Sequence, residues 1–415
     1  MILVLIRHAA AEEFSAAKED RYRELTPSGR SAFQATAEGL RRLFPNAPRI
    51  LASPFTRAQQ TAKLLAQRFG NAPIELCDEL AASNLEPFLE QCRAKPGIVF
   101  AIGHEPVLSI WLSHLTGQNR HFEKGAAAAI ELGPSGPGEL LFYADPDSFS
   151  KLNERAFPFR LFADLLMFRD RMLHGDHSED TIHDLRVSMR QLKVMLYGIK
   201  PLLPHEDLVN VLSGINGLFA YTDKVRDYDV LLEFIRHADE PSAALPPFIR
   251  GLRDEQLSAL LAAMGEENAA LSLLRLFRLL ASVDIKSCRK TSRKRFVSLI
   301  RKTRKHLEAL DMTNELALHR LRIYCKKIYY SGNLFPFAAK ICGKNILEQS
   351  KALKDALGAH HDLFVCRRLL ENSLNGQSPA LQEPSRPVLA QLLKKQRQTE
   401  DLEKQIRTFK KSLRF

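Results

Sequence analysis

The 415 residues contain no run of about 18 apolar residues, so no segment reads as a transmembrane helix. The apolar stretch Met1–Ile6 is interrupted at once by Arg7-His8 and does not read as a secretory signal. The six cysteines (77, 92, 288, 325, 342, 366) form no Cys-x-x-Cys pair, which argues against a zinc site and for reduced thiols in a cytoplasm. No helix-turn-helix or other standard nucleic-acid motif is visible. From about residue 158 onward no strand pattern is evident.

Positive charge is abundant but unevenly placed. Residues 1–150 hold 15 basic and 17 acidic side chains, whereas the rest of the chain holds 45 and 31. A one-sided positive field of that kind suits a polyanionic partner.

The first 150 residues alternate short apolar strands with helices. The expected strands are 2–6, 49–52, 74–76, 98–102, 126–132 and 140–143, and the expected helices 27–43, 55–69 and 106–115. That alternation predicts an α/β sandwich. Ligands of such sheets bind beyond the carboxyl ends of the strands, where this chain places Arg7-His8, Ser53-Pro-Phe-Thr-Arg57 and Gly103-His104. Two Arg and two His converging there would suit a phosphoryl dianion: forked guanidinium donors for its oxygens, one imidazole to attack phosphorus and one to stabilise developing charge.

Ile6-Arg-His-Ala-Ala-Ala-Glu12, Ser53-Pro-Phe-Thr-Arg-Ala-Gln-Gln-Thr61 and Ile102-Gly-His-Glu-Pro106 resemble the motifs of the histidine phosphatase superfamily. The compact length and Arg23-Glu-Leu-Thr-Pro-Ser-Gly29 are similar to its small SixA-type branch, the bacterial phosphohistidine phosphatases. The resemblance covers residues 1 to about 145. It implies a phosphoglycerate-mutase-like fold, His8 as the nucleophile that becomes a phosphohistidine, and Arg7, Arg57 and His104 as ligands of the transferring group. Larger members use a Glu after the third strand as proton donor, and Glu79 is the positional candidate. No cofactor is implied, and no metal is required where Arg and His supply the positive charge. A domain boundary is expected at about 145–157, after the turn 133–138 and the last strand.

The second part is organised by a repeat. His183, Arg186, Arg190, Lys193 and Tyr197 are spaced by 3, 4, 3 and 4, one stripe of a helix, beside an apolar stripe of Ile182, Leu185, Met189, Leu192, Leu196 and Ile199. His319, Arg322 and Lys326 repeat the first three members 136 residues later, with Lys327 and Tyr330 following. Asp227 lies 44 residues past His183, and Asp362 lies 43 past His319. Two marks recurring in order at nearly one spacing indicate an internal duplication, with copies at about 158–282 and 283–412. Further helices are expected at 205–221, 225–237, 267–280, 285–310, 314–330, 345–357, 363–372 and 388–411, with a loop over 373–387. An all-α bundle of two similar halves results. A basic row without acidic neighbours on its own stripe calls for an anion along it, because like charges at i,i+4 repel. Rings for stacking bases are few on these stripes, which disfavours nucleic acid. The run of ten bases over 286–305 reads equally well as a solvated face. Asp227-x-Asp229 reads as carboxylates paired to nearby Arg or as a helix cap, ahead of a cation site.

His183…Arg186…Arg190…Lys193 with Val225-Arg-Asp-Tyr-Asp-Val230, and the second copy with Leu357-Gly-Ala-His-His-Asp-Leu-Phe-Val365, resemble the CHAD family, the conserved-histidine α-helical domains. The resemblance covers about 158–412. It implies that inorganic polyphosphate is the partner and that His183, Arg186, Arg190, Lys193, His319, Arg322, Lys326 and Lys327 contact it. The resulting expectation is a multidomain cytoplasmic protein, a histidine phosphatase domain (1–150) followed by a CHAD domain (158–412), placed at polyphosphate granules. Its expected substrate is a phosphohistidine-containing protein. The alternatives are a polyphosphate hydrolase and a non-enzymatic polyanion scaffold for polyphosphate or nucleic acid. No membrane partner is expected.

Overall fold

The computed structural model describes residues 1–15, 19–134, 136–239, 243–312, 314–396 and 400–413. The chain forms two compact units, Met1–Asp170 with Glu267–Val283, and Arg171–Glu266 with Asp284–Phe415.

The first unit is a six-stranded sheet: β1 (Ile2–Arg7), β2 (Arg49–Ala52), β3 (Ile74–Leu76), β4 (Ile98–Gly103), β5 (Ala127–Glu131) and β6 (Glu139–Ala144). Its order is β3-β2-β4-β1-β5-β6. The pairs β3–β2, β2–β4 and β4–β1 are parallel, while β1–β5 and β5–β6 are antiparallel. Helices α1 (Pro27–Leu43), α2 (Thr56–Arg68), α3 (Glu79–Ala82), α4 (Leu85–Ala94), α5 (Val107–Thr116) and α6 (Pro146–Asn153) complete the α/β architecture. β1 reads Ile-Leu-Val-Leu-Ile because it is covered on both faces, and Leu3, Val4, Leu5 and Ile6 are fully buried. Its register pairs Arg7 with Gly103, so the two strands end level and His8 and His104 emerge side by side. The turn 133–138 joins β5 and β6, with residue 135 outside the described residues.

The Arg23–Gly29 segment has a physical reason. Thr26 caps α1 by accepting from the Gly29 amide at 3.0 Å, with Pro27 at the first helical position. The Thr26 amide donates to Ala10 O, and a Cβ at Gly29 would lie 2.1 Å from that same oxygen. Only glycine lets the chain leaving β1 cross the start of α1 so closely.

Packing divides the chain differently from the expected boundary at 145–157. α7 (Arg160–Leu173) and α11 (Glu267–Ala281) are helices of the second half by pattern, yet α11 and most of α7 bury their apolar faces in the first unit. Phe277 of α11 is fully buried among Phe142, Phe149, Phe159 and Phe162, with ring centroids 5.2–6.3 Å away. Arg275 pairs with Glu139 at 2.7 Å and Glu131 at 3.2 Å. Arg169 of α7 is buried and donates to Arg42 O and Leu43 O, closing the carboxyl end of α1. Hydrophobic periodicity marks a helix without naming its partner, so it could not assign α7 and α11.

The second unit is all helical: α8 (Glu179–Ile199), α9 (His205–Arg236), α10 (Leu245–Gly265), α12 (Ile285–Glu308), α13 (Glu315–Leu334), α14 (Pro336–Leu374), α15 (Pro379–Gln396) and α16 (Glu400–Ser412). Ser178 caps α8, accepting from the Thr181 amide at 3.3 Å. The apolar stripe from Ile182 to Ile199 is buried as its period requires. α8 packs on α9 and α13, and α13 and α9 both pack on α14, so each basic stripe faces a long helix that carries aspartates.

Three expected breaks are absent. The helices expected over 205–221 and 225–237 form one, because Thr222–Lys224 holds no glycine or proline and the Thr222 hydroxyl returns to Phe219 O at 2.8 Å. Asp227 and Asp229 therefore lie inside α9 and cap nothing. The helices expected over 345–357 and 363–372 are parts of α14, which passes through Gly358 without a break. The loop expected over 373–387 shrinks to 375–378: α15 begins at Pro379 and contains Pro384 and Pro387. Burial of Val388 and Leu392, both fully enclosed beside Leu370 and Cys366, holds a helix that the prolines alone would disfavour. Within the expected final helix 388–411, residues 397–399 lie outside the described residues.

Candidate functional site

Two separate clusters carry chemistry, one in each unit. In the first, the His8 amide donates to Gly103 O at 3.1 Å, fixing the backbone at the strand ends. His8 Nδ1 lies 2.7 Å from Ala9 O, and a carbonyl can only accept, so Nδ1 carries the proton. Nε2 is then an unprotonated lone pair, and it accepts from Arg57 Nε at 3.2 Å. Burial, and after it the charges of Arg57 and Arg7, push His8 down to about 4 against the hydrogen bond to Ala9. The imidazole therefore stands as a neutral nucleophile at physiological pH. The His104 ring lies 5.2 Å from that of His8, and burial followed by the charges of His8 and Arg57 pushes it down to about 3. His104 Nε2 bonds Ser53 Oγ at 2.7 Å, while its Nδ1 and the Nε of Arg7 are buried without a partner. Buried donors and acceptors are normally satisfied, so these atoms are suited to bind a polar group.

The supports explain the motifs. Arg57 sits on the first turn of α2, 4 % exposed, with its guanidinium carbon 4.9 Å from the Phe55 ring, which lies tilted 4.7 Å from that of His104. Thr61 accepts from the Ala9 amide at 3.1 Å and donates to Arg57 O at 2.7 Å, tying the segment after β1 to the start of α2. Arg7 donates to Phe122 O at 2.5 Å, and Glu105 holds that loop by accepting from the Phe122 amide at 2.6 Å.

Asp20 is a member of this cluster that the sequence did not reveal. Its Oδ2 accepts from Arg57 Nη2 at 2.8 Å, its carbonyl from Arg57 Nη1 at 2.6 Å, and its Oδ1 from Arg23 Nε at 2.8 Å. Burial raises the Asp20 carboxyl, but the bonds from Arg57 and Arg23 outweigh it and hold the group below its ordinary range. Nothing in the local pattern marks it, because the contact with Arg57 spans 37 residues. Glu79 begins α3 and accepts from the Cys77 thiol at 3.2 Å; among the described residues no hydrogen bond or ion pair joins it to Arg7, His8, Arg57 or His104.

The second cluster is a pocket of about 600 Å3 between α8, α9, α13 and α14. Six of the eight expected ligands line it: His183, Arg186, Arg190, His319, Arg322 and Lys326. Lys193 and Lys327 do not; Lys193 Nζ sits 4.6 Å from the Phe219 ring and Lys327 Nζ 4.5 Å from the Tyr197 ring. Lys354 and His361 of α14 join the lining; the sequence signalled His361, which directly precedes the Asp362 mark, but not Lys354, whose place has no basic counterpart in the first copy.

Acidic groups absent from the stripes arrive from the facing helices. Arg186 pairs with Asp223 at 2.6 Å and Arg322 with Asp362 at 3.5 Å. The basic rows are thus partly compensated, contrary to the expectation from the stripes alone. Arg186 Nη1 and Arg322 Nε nevertheless stay buried and unpartnered. Of the Asp-x-Asp, Asp229 is 1 % exposed and paired with Arg253 at 2.9 Å, whereas Asp227 lines the pocket and is pushed up to about 6 by burial and by Asp223. Burial, then Arg322 and Arg190, push Lys326 down to about 7. Burial, then Arg322 and His319, push His361 down to about 4. Burial, and after it the charges of basic neighbours, disfavours the charged forms of Lys326 and His361, and an anion in the pocket would oppose that.

Residues 160–371 match the family model of the CHAD domain, and residues 3–91 that of the histidine phosphatase superfamily (branch 1). The chain belongs to the CHAD family and carries a histidine phosphatase domain at its amino-terminal side. It is similar to an uncharacterized protein of Picosynechococcus sp., 30% identical over 155 residues that make up 36% of this chain and 94% of the relative. Among solved structures, the CHAD domain from the plant Ricinus communis covers 63% of this chain and 92% of its own, with a TM-score of 0.52 at 22% identity. The protein histidine phosphatase SixA complexed with tungstate covers 35% and 98%, with a TM-score of 0.32 at 25% identity. Among the described residues no helix is long and apolar enough to cross a membrane.

Proposed function

We propose that the chain is a polyphosphate-targeted phosphatase that removes phosphoryl groups from phosphohistidine in a protein. The observation that carries the proposal is the presence in one chain of two basic clusters of different build: a tight one around an unprotonated His8 Nε2, and a pocket of about 600 Å3 lined by bases of α8 and α13. In the first, His8 Nε2 attacks phosphorus while Arg7, Arg57 and His104 hold the equatorial oxygens. The bond to the leaving group breaks, His8 carries the phosphoryl group, and water then removes it as orthophosphate.

The leaving group is the point of discrimination. An alkoxide needs a proton donor, and the carboxylate bonded to Arg57, that of Asp20, is held ionised by two guanidinium groups. A leaving imidazole is readily protonated without such a donor, which supports a phosphoramidate substrate. In the pocket, bare guanidinium N–H groups of Arg186 and Arg322 support a ligand with charge repeated at short intervals, and the lining offers Phe219 as its one ring besides the histidines, a poor platform for bases.

The test is to present a protein labelled on phosphohistidine to the wild-type chain and to His8→Ala. Wild type should release labelled orthophosphate and trap acid-labile label on itself, and His8→Ala should do neither. Full turnover by His8→Ala would remove the assignment.

A further inference from the structure

Helix α12 has a use that the pocket does not absorb. Its buried stripe, among it Cys288, Ser292, Phe296 and Leu299, packs the helix on the bundle. The opposite face carries Lys286, Arg289, Lys290, Arg293, Lys294 and Arg301, all exposed, lining an open trough of about 700 Å3. Among the described residues none of these six has a carboxylate within ion-pair distance; the pair this helix makes is Arg304 with Glu308, at 3.8 Å. Lys286–Lys290, Arg289–Arg293 and Lys290–Lys294 are like charges at i,i+4, each a repulsion that a merely solvated face would relieve by alternating sign. At ~1.5 Å per residue, Lys286 to Arg301 spans roughly 22 Å, the length of a track rather than a single ion site.

We infer that the outer face of α12 is a second binding surface, separate from the pocket, for a linear polyphosphate. The proposal rests on the reading of the chain as a polyphosphate binder. Its ligand class follows from what the trough offers. Val297 is its one apolar member and no ring lines it, so bases of a nucleic acid find nothing to stack on. The backbone of α12 is bonded within the helix, so an acidic peptide finds no main-chain partners. A polymer charged at every unit and otherwise featureless needs only the row of cations. Binding at such a surface releases counterions and is steeply salt dependent.

The experiment measures binding of long-chain polyphosphate to the full chain at low and moderate salt in four forms: wild type, Arg186→Ala/Arg322→Ala in the pocket, Lys290→Gln/Arg293→Gln/Lys294→Gln on α12, and both sets together. All three α12 positions are exposed, so helical circular dichroism should be unchanged. The expected result is that the pocket variant keeps salt-sensitive binding and that adding the α12 substitutions weakens it a further tenfold or more. Complete loss in the pocket variant alone, or an α12 variant that matches its parent in both backgrounds, overturns the second surface. Tight binding in the pocket variant that disappears with the α12 set would instead remove the pocket and leave α12 standing. Single-stranded DNA of equal charge binding α12 as tightly as polyphosphate overturns the ligand class.

Discussion

At the residue scale the phosphatase site is a problem in competition for one guanidinium. Arg57 gives its Nε–H to His8 and one N–H from each terminal nitrogen to Asp20, so an arriving phosphoryl group competes with the Asp20 carboxylate for the same guanidinium. Asp20→Asn keeps the size and the main-chain contact but removes a charged acceptor whose bonds are worth about 1.5–3 kcal/mol. Inhibition by the phosphate mimic vanadate should tighten about tenfold in Asp20→Asn; unchanged inhibition would mean that Asp20 is no competitor. Lys326 and Asp227 set a second test. Lys326, near 7, loses its charge as pH rises, and Asp227, near 6, gains one. Both changes make the pocket less positive, so polyphosphate affinity should fall as pH rises from about 5.5 to 8, and Lys326→Arg should flatten the part of that fall near 7. A pH-independent affinity contradicts this account of the pocket. The clustering of Arg7, His8, Arg57 and His104 was legible in the sequence because they fall at strand ends in a fixed order. Asp20 was not, because its role depends on the path of a loop. Glu79 was read by its position along the chain, while its actual partner, Cys77, is set by the local fold of α3.

At the scale of elements, periodicity identified helices but not their allegiance. α11 carries Leu273, Leu276, Phe277 and Leu280 on a buried face that any bundle could use, and its place against β6 depends on Phe142 and on the charge pairing of Arg275 with Glu139 and Glu131. Phe277→Ala should therefore destabilise the phosphatase unit, although residue 277 lies far outside the first 150 residues, by roughly 3–5 kcal/mol in chemical denaturation. A loss below about 1 kcal/mol would mean that α11 does not complete this core. The missed continuity of α9 and α14 has the same origin. Short polar stretches such as Thr222–Lys224 look like breaks in a pattern but contain no residue that stops a helix, and the tertiary contacts of a 32-residue and a 39-residue helix carry the chain through them.

At the scale of the molecule, the chain passes between its two units at residues 170–171, 266–267 and 283–284. A phosphatase fragment ending at residue 150 would lack both α7 and α11, so experiments on function belong to the full chain. The second basic stripe was legible because the sequence repeats a chemical mark, His then Arg then a base, at one spacing. The acidic partners Asp223 and Asp362 were not, because they reach the stripes only across packed helices. On the proposed reading, polyphosphate is the address and phosphohistidine the substrate. The most direct measurement is orthophosphate release from long-chain polyphosphate by the wild-type chain, with His8→Ala as the blank. The account predicts no release above the blank, with the polymer bound by both proteins. Release by wild type that disappears in His8→Ala would contradict it and make the polymer itself the substrate.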